Sequence, residues 1–222
     1  MVERRGWKFD ASQGVAILPL IAALVSGSAV LAAPGVTGVK DKSNAAIASF
    51  APVGGPVATP FGWTDFCRRY QGECGGGPLA AADISYETKT VKEISRVNHK
   101  VNAEIRPLSD IEHWGVIDQW DYPPDGRGDC EDYALLKRKL LIDEGFPRQA
   151  LLMTIVKDEN SEGHAVLTVK TSAGDFILDN RNDELKLWSE TGYHFVKRQS
   201  QLDQNIWLQI GGPTAVPEFV SK

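Results

Sequence analysis

Cys130, His164 and Asp179 are the residues of this chain whose types, taken together, could do covalent chemistry. The thiolate is the reactive form of cysteine, and it needs a base within hydrogen-bond reach and a third group that orients the base. Three cysteines are present, at 67, 74 and 130, and four histidines, at 99, 113, 164 and 194. Cys67 and Cys74 lie seven apart in a polar, Gly-rich segment where a disulfide can close a short loop, which leaves Cys130 as the odd thiol. His164 opens an apolar run directly after a Gly-containing turn, and Asp179 closes the next such run. From residue types alone each has a plain alternative: a small core cysteine, a structural histidine, a turn-capping aspartate.

The elements that must position them follow from pattern. Gly128 and Asp129 are N-cap types, acids fill the next turn, and Gly145 with Pro147 supplies the stop, so Cys130 sits in the first turn of a helix. Free backbone N–H groups and the positive end of the macrodipole favour a thiolate there. Val91, Ile94, Val97, Val101 and Ile105 recur at spacings of three and four, which predicts an amphipathic helix from about Thr88 to Ile105, closed by Pro107. A short helix or turn is expected from Phe61 to Cys74, and an aromatic loop with Trp114, Trp120 and Tyr122 approaches Cys130. After the cysteine helix come β-type runs at Leu151 to Val156, His164 to Thr171 and Phe176 to Leu178, with further strands near Leu185 to Trp188, Tyr193 to Lys197 and Ile206 to Ile210. A helical layer followed by antiparallel strands reads as α+β. One detail opposes the triad. A turn centred at Ala173-Gly174 sets Asp179 opposite Thr168, about 13 Å along the strand from His164, and a bulge, a shifted turn or strong twist must correct that.

With 222 residues, 42% of them hydrophobic and 24% charged, the chain has globular composition, and a net charge of -5 offers no basic footprint for nucleic acid. Arg4, Arg5 and Lys8 precede an apolar run from Val15 to Val25 and then small residues to Ala32, the layout of a secretory signal peptide cleaved after Ala32. An uncleaved membrane anchor is the alternative, but Ser26, Gly27 and Ser28 interrupt a run already short of the roughly 20 residues a span needs. The expected organisation is a signal at 1–32, a flexible leader at 33–60 and one domain at 61–222. An unpaired thiol in an oxidising compartment calls for either burial or chemistry.

Cysteine on a helix with histidine and aspartate on neighbouring strands is the arrangement of papain-like and transglutaminase-like enzymes. The run Gly126-Arg127-Gly128-Asp129-Cys130-Glu131-Asp132-Tyr133, then Gly163-His164-Ala165-Val166-Leu167, then Leu178-Asp179-Asn180, resembles the bacterial transglutaminase-like cysteine peptidases. That family contains a periplasmic protease that releases large adhesins from the cell surface. The resemblance covers roughly Phe61 to Ile210. It implies a papain/transglutaminase-like fold, hydrolysis of a peptide bond, Cys130 as nucleophile, His164 as base and Asp179 as orienting acid. It also implies a protein substrate such as a surface adhesin, and a regulatory receptor in the inner membrane.

Asp129, Glu131 and Asp132 crowd the thiol with like charge, which disfavours the thiolate. Clustered carboxylates suit calcium, and acids in a first turn also complement the helix dipole without any metal. By resemblance, calcium maps to Asp129 and Glu131, with Asp132 beside them; the chemistry itself requires no cofactor. A zinc site from Cys130, His164 and Asp179 lacks a close-spaced ligand pair. For an oxyanion hole the Cys130 N–H is one natural donor and the Trp120 indole a second. Two other functions stay open on the same residues: an acyl transferase that uses an amine in place of water, and a binding module without activity.

Overall fold

The computed structural model describes residues 49–211. The expected signal segment lies outside them, and among the described residues no helix is long and apolar enough to cross a membrane. In chain order the elements are β1 (Val53–Val57), α1 (Phe61–Arg69), α2 (Thr88–Glu104), β2 (Arg106–Pro107), α3 (Asp110–Trp114), β3 (Arg127–Gly128) and α4 (Cys130–Asp143). Then come β4 (Leu151–Lys157), β5 (Gly163–Thr171), β6 (Gly174–Asp179), β7 (Asn182–Leu187), β8 (His194–Gln199) and β9 (Trp207–Ile210). A seven-stranded sheet in the order β1-β9-β8-β4-β5-β6-β7 is antiparallel throughout, and the helices pack on one face, as an α+β chain requires.

Alternation along the strands sorts the core into two layers. Ala165, Leu167, Val169 and Leu178 face the helices, together with Ile94, Val97 and Val101 of α2 and Leu135 and Leu141 of α4. Val166, Ile177, Phe195 and Ile210 fill the opposite face. The stripe that predicted a helix from Thr88 is the stripe α2 buries. Two contacts set α2 and α4 antiparallel: the Tyr133 hydroxyl donates to Ile105 O at 2.7 Å at one end, and Arg96 meets Glu144 at 2.5 Å at the other. Gly145, at φ 91°, closes α4; the following Phe146 N–H returns to Leu141 O at 3.0 Å, a Schellman ending that an L side chain at 145 would strain.

Two expectations are corrected here. Residues 33–60 do not form a leader throughout, because Val53–Val57 pairs antiparallel with β9 and the Ala51 N–H donates to Asp175 Oδ2 at 3.1 Å. The Gly-Gly-Pro run has loop composition, but an edge strand tolerates proline and glycine where a central one does not. The loop after α2 also carries structure, the helix α3 and the parallel pair β2 with β3.

The Cys67–Cys74 disulfide is formed, with Cα atoms 5.5 Å apart. It closes the turn after α1 against the loop before β9, where the Asn205 amide donates to Cys74 O at 3.1 Å. On the inner side of α1, Gly62 lies against the indole of Trp120, packed in turn against Trp63 and Trp207. A Cβ at position 62 would stand 2.2 Å from Trp120 Cδ1. Gly62→Ala is therefore expected to cost about 1–3 kcal/mol through overpacking, read as a lower urea midpoint at unchanged m-value; an unaltered midpoint would show that α1 is free to shift.

Candidate active site

The register of β5 with β6 decides whether histidine and aspartate meet. Thr171 pairs with Gly174 and Leu167 with Leu178, so the turn is Ser172-Ala173 and not Ala173-Gly174. Moving the turn centre by one residue slides the partner by two. Asp179 follows the Leu167–Leu178 pair at the end of β6, close to the start of β5, and its carboxylate comes within side-chain reach of His164. His164 Nε2 and Asp179 Oδ1 are 2.9 Å apart, with His164 fully buried. The shifted turn removes the predicted obstacle, and β6 also shifts register against β7 between Ile177 and Asp179.

Further groups hold Asp179. The Arg181 N–H donates to Oδ1 at 3.0 Å and the Tyr193 hydroxyl to Oδ2 at 2.5 Å. Tyr193 also sets its ring edge-on to His164, with centroids 5.4 Å apart. Burial works to raise the Asp179 carboxyl, but the hydrogen bond and charge of His164, with Tyr193 and the Arg181 N–H, outweigh it and hold the group at about 2. Tyr193 was not singled out from sequence; its place opposite β6 depends on the three-residue helical turn Trp188–Glu190 that no pattern announced.

Cys130 arrives from the helix side. It is the first residue of α4, and its Sγ accepts the N–H of Ala165, the residue after His164, at 3.4 Å. Its thiol donates to Glu131 Oε2 at 3.1 Å. Burial and the charge of Asp129 push the thiol up to about 12, against the pull of the Ala165 N–H, Glu131 and Arg181. Nε2 is engaged by Asp179, and the buried Nδ1 of His164 makes no hydrogen bond to the described residues. The other histidines serve elsewhere: His99 pairs with Asp183, His113 with Asp125, and His194 opens β8. Beside the pair a cavity of about 330 Å³ is lined by Asp158, Arg181, Thr191 and Tyr193 among others.

The three acids around Cys130 are buried and gain two partners that sequence reasoning missed, Asp110 and Asp118. Carboxylate oxygens of Asp110, Asp129 and Asp132 lie within 4.8 Å of one another, and so do those of Asp110, Asp118 and Glu131. Asp110 opens α3, and its N–H donates to Asp129 Oδ2 at 3.3 Å. Asp132 is the most committed: it accepts the Asp121 N–H at 2.7 Å and, in the return arm of a capping box, the Asp129 N–H at 3.4 Å. Burial, followed by the other charges, raises Glu131 and Asp132 well above the carboxylate range. Asp110 rises to about 7, through burial and then Asp129.

Trp120 requires a correction. It is wholly buried, and its indole N–H donates to Asp118 Oδ1 at 2.9 Å, so that donor is spent on the acidic cluster and not aimed at a reacting carbonyl. Its role is to hold Asp118 beside Asp110 and Glu131.

No curated protein matches the chain. Among solved structures, calcium-bound LapG of Legionella pneumophila is 23% identical, with 58% of this chain and 74% of that one covered and a TM-score of 0.48. Another LapG structure from the same organism is 24% identical, over 51% and 65% of the two chains, at a TM-score of 0.43. The EGTA-treated form is 21% identical, over 60% and 72%, at 0.45. The family model described as bacterial transglutaminase-like cysteine proteinase BTLCP matches residues 53–215, from the first strand past the last. By that match the chain belongs to the bacterial transglutaminase-like cysteine proteinases and is a cysteine peptidase.

Proposed function

We propose that this peptidase hydrolyses a peptide bond through Cys130, His164 and Asp179. The observation that carries the reading is the buried 2.9 Å contact of His164 with Asp179, joined to the sulfur by the Ala165 N–H. In the proposed cycle Asp179 fixes the tautomer with its proton on Nε2, and Nδ1 takes the Cys130 proton. The sulfur attacks the carbonyl, a thioester forms as the amine leaves with the proton from His164, and water activated by His164 releases the acid. The sequence layout of a signal segment supports action after export, in the periplasm. The motif resemblance supports a surface adhesin as substrate, cut at a segment of small residues, and control by an inner-membrane receptor.

The acidic cluster supports a calcium site. Asp110 Oδ1 and Glu131 Oε1 are buried carboxylate oxygens that accept no hydrogen bond from the described residues, and a hard cation with oxygen ligands fits such a donor set. Asp110, Asp118, Asp129 and Glu131 would hold it, with Asp132 turned partly to the helix cap. When bound, the ion would neutralise the negative field around the thiol.

Digestion of a peptide library in ¹⁸O-labelled water, with and without an added primary amine, tests the reaction. New carboxyl ends carrying ¹⁸O, absent with Cys130→Ala, are expected. Amine incorporation in place of ¹⁸O would make the protein an acyl transferase, and no turnover of peptides or of a native protein linker would leave a binding module.

A further inference from the structure

Lys137 is a fully buried lysine whose Nζ makes no hydrogen bond to the described residues. Such a group is costly and rarely kept without a use. It lies on α4 seven residues after Cys130, and its Nζ stands 5.9 Å from the ring centroid of Tyr133, one turn back. Because Tyr133 meets Ile105 and Glu144 meets Arg96, one further turn along α4 brings Lys137 level with Val101 and Asn102 of the antiparallel α2. Asn102 is the residue whose amide grips the turn after β6, donating to Asp179 O at 2.9 Å and Asp183 Oδ1 at 2.7 Å. The carboxylates of Asp179 and Asp183 are the charges that act on the amine.

Resting on the catalytic pair proposed above, we infer that Lys137 is a positioning residue for His164 and Asp179: its charge sets how much of the Asp179 field is left to favour the imidazolium. As an ammonium it draws on the Asp179 carboxylate from the helix side and so disfavours a second cation at His164. As a neutral amine it leaves that field to His164, which then takes the thiol proton more readily. The titratable groups around it are Tyr133 on its own helix, Asp179 at the end of β6, Asp183 on β7, His99 on α2, paired with Asp183 at 3.3 Å, and His164 on β5, paired with Asp179. Burial, only partly offset by the two carboxylates, brings the amine down to about 7, so both forms are populated at neutral pH.

The test compares iodoacetamide alkylation of Cys130 in wild type, Lys137→Met, Lys137→Arg and His164→Gln across the neutral range at constant calcium. For a charge pair in a protein interior, the wild-type rate relative to Lys137→Met is expected to climb from about one tenth in mild acid to unity in mild base. Lys137→Arg, permanently charged, is expected to stay on the lower branch. A ratio that does not change with pH overturns the inference as long as His164→Gln still slows alkylation. If His164→Gln reacts like wild type, the catalytic pair itself has failed. Should Lys137→Arg not fold, the Nζ titration of Lys137 followed by ¹⁵N NMR decides: its midpoint is expected to fall in Asp179→Asn, and an unmoved midpoint overturns the coupling.

Discussion

Replacing His164 with glutamine is expected to lower peptide hydrolysis by about 10²–10⁴-fold, the usual worth of a positioned general base. Glutamine can still donate to Asp179 across the 2.9 Å contact but cannot take a proton, so the substitution separates chemistry from packing. The thiol gives this prediction its size. Burial and Asp129 push Cys130 up to about 12, so the thiolate is scarce at neutral pH unless a neighbour accepts the proton in the same step. Loss of activity should therefore come with slower alkylation and little change in KM, because the variant still binds substrate. Near wild-type turnover would end the proposal. Asp179 adds a pH signature of its own. Held at about 2, below its ordinary 3.8, it contributes stability that is fully present above pH 4 and is lost as the pH falls through 2. The difference is about 2 kcal/mol, and Asp179→Asn should erase it from the acid-unfolding curve.

Chelation is expected to lower the melting temperature, and to do so far more at pH 8 than at pH 5. Without metal, Asp110, Glu131 and Asp132 are held above the carboxylate range, first by burial and then by neighbouring negative charge, Asp129 foremost for Asp110 and Asp132 and the Cys130 thiol for Glu131. The folded chain therefore keeps protons that the unfolded chain has lost. Stability falls as pH rises from the ordinary carboxylate range, about 4, towards the folded values, with Asp110 reaching about 7. At about 1.4 kcal/mol per pH unit, Asp110 alone accounts for a few kcal/mol. A divalent cation removes the penalty by replacing those protons, and at a hundredfold excess over its Kd it adds about 2.7 kcal/mol. Melting curves in EDTA and in calcium chloride, taken from pH 5 to 8, measure this. A chelation effect that ignores pH, or no effect at all, would mean that the acids are satisfied as a protonated cluster.

Periodic elements were legible and punctuation was not. The three-and-four spacing from Val91 to Ile105 located α2 to within a residue of its observed end at Glu104, since an apolar stripe on a helix has one way to be buried. The alternation from Ala165 to Val169 likewise survives in β5. The turn between β5 and β6 lies one residue earlier than composition suggests, because Gly174, a turn residue by type, pairs with Thr171 at the strand start, at φ 150°. That one residue carries Asp179 from beside Thr168 to within reach of His164. Asp110 and Asp118 escaped notice because sequence ranks acids by distance along the chain, whereas α3 folds the loop back on α4. Trp120 is ambiguous in sequence for a related reason: an aromatic before the cysteine could line the cleft or fill the core, and Gly62 facing its ring shows which. β1 was hidden by composition, since pairing with β9 bridges a separation that no local pattern records.

That same pairing ties the first described strand to the last, Val57 to Trp207, and the Tyr193 clasp on Asp179 comes late in the chain as well. During synthesis the helix bearing Cys130 emerges well before either partner that completes its surroundings. Contacts so distant in sequence form slowly, and a nascent or truncated chain holds the thiol without a finished site around it. The surroundings of the thiol are thus complete only once Tyr193 and β9 are in place, so the order of assembly follows strand order.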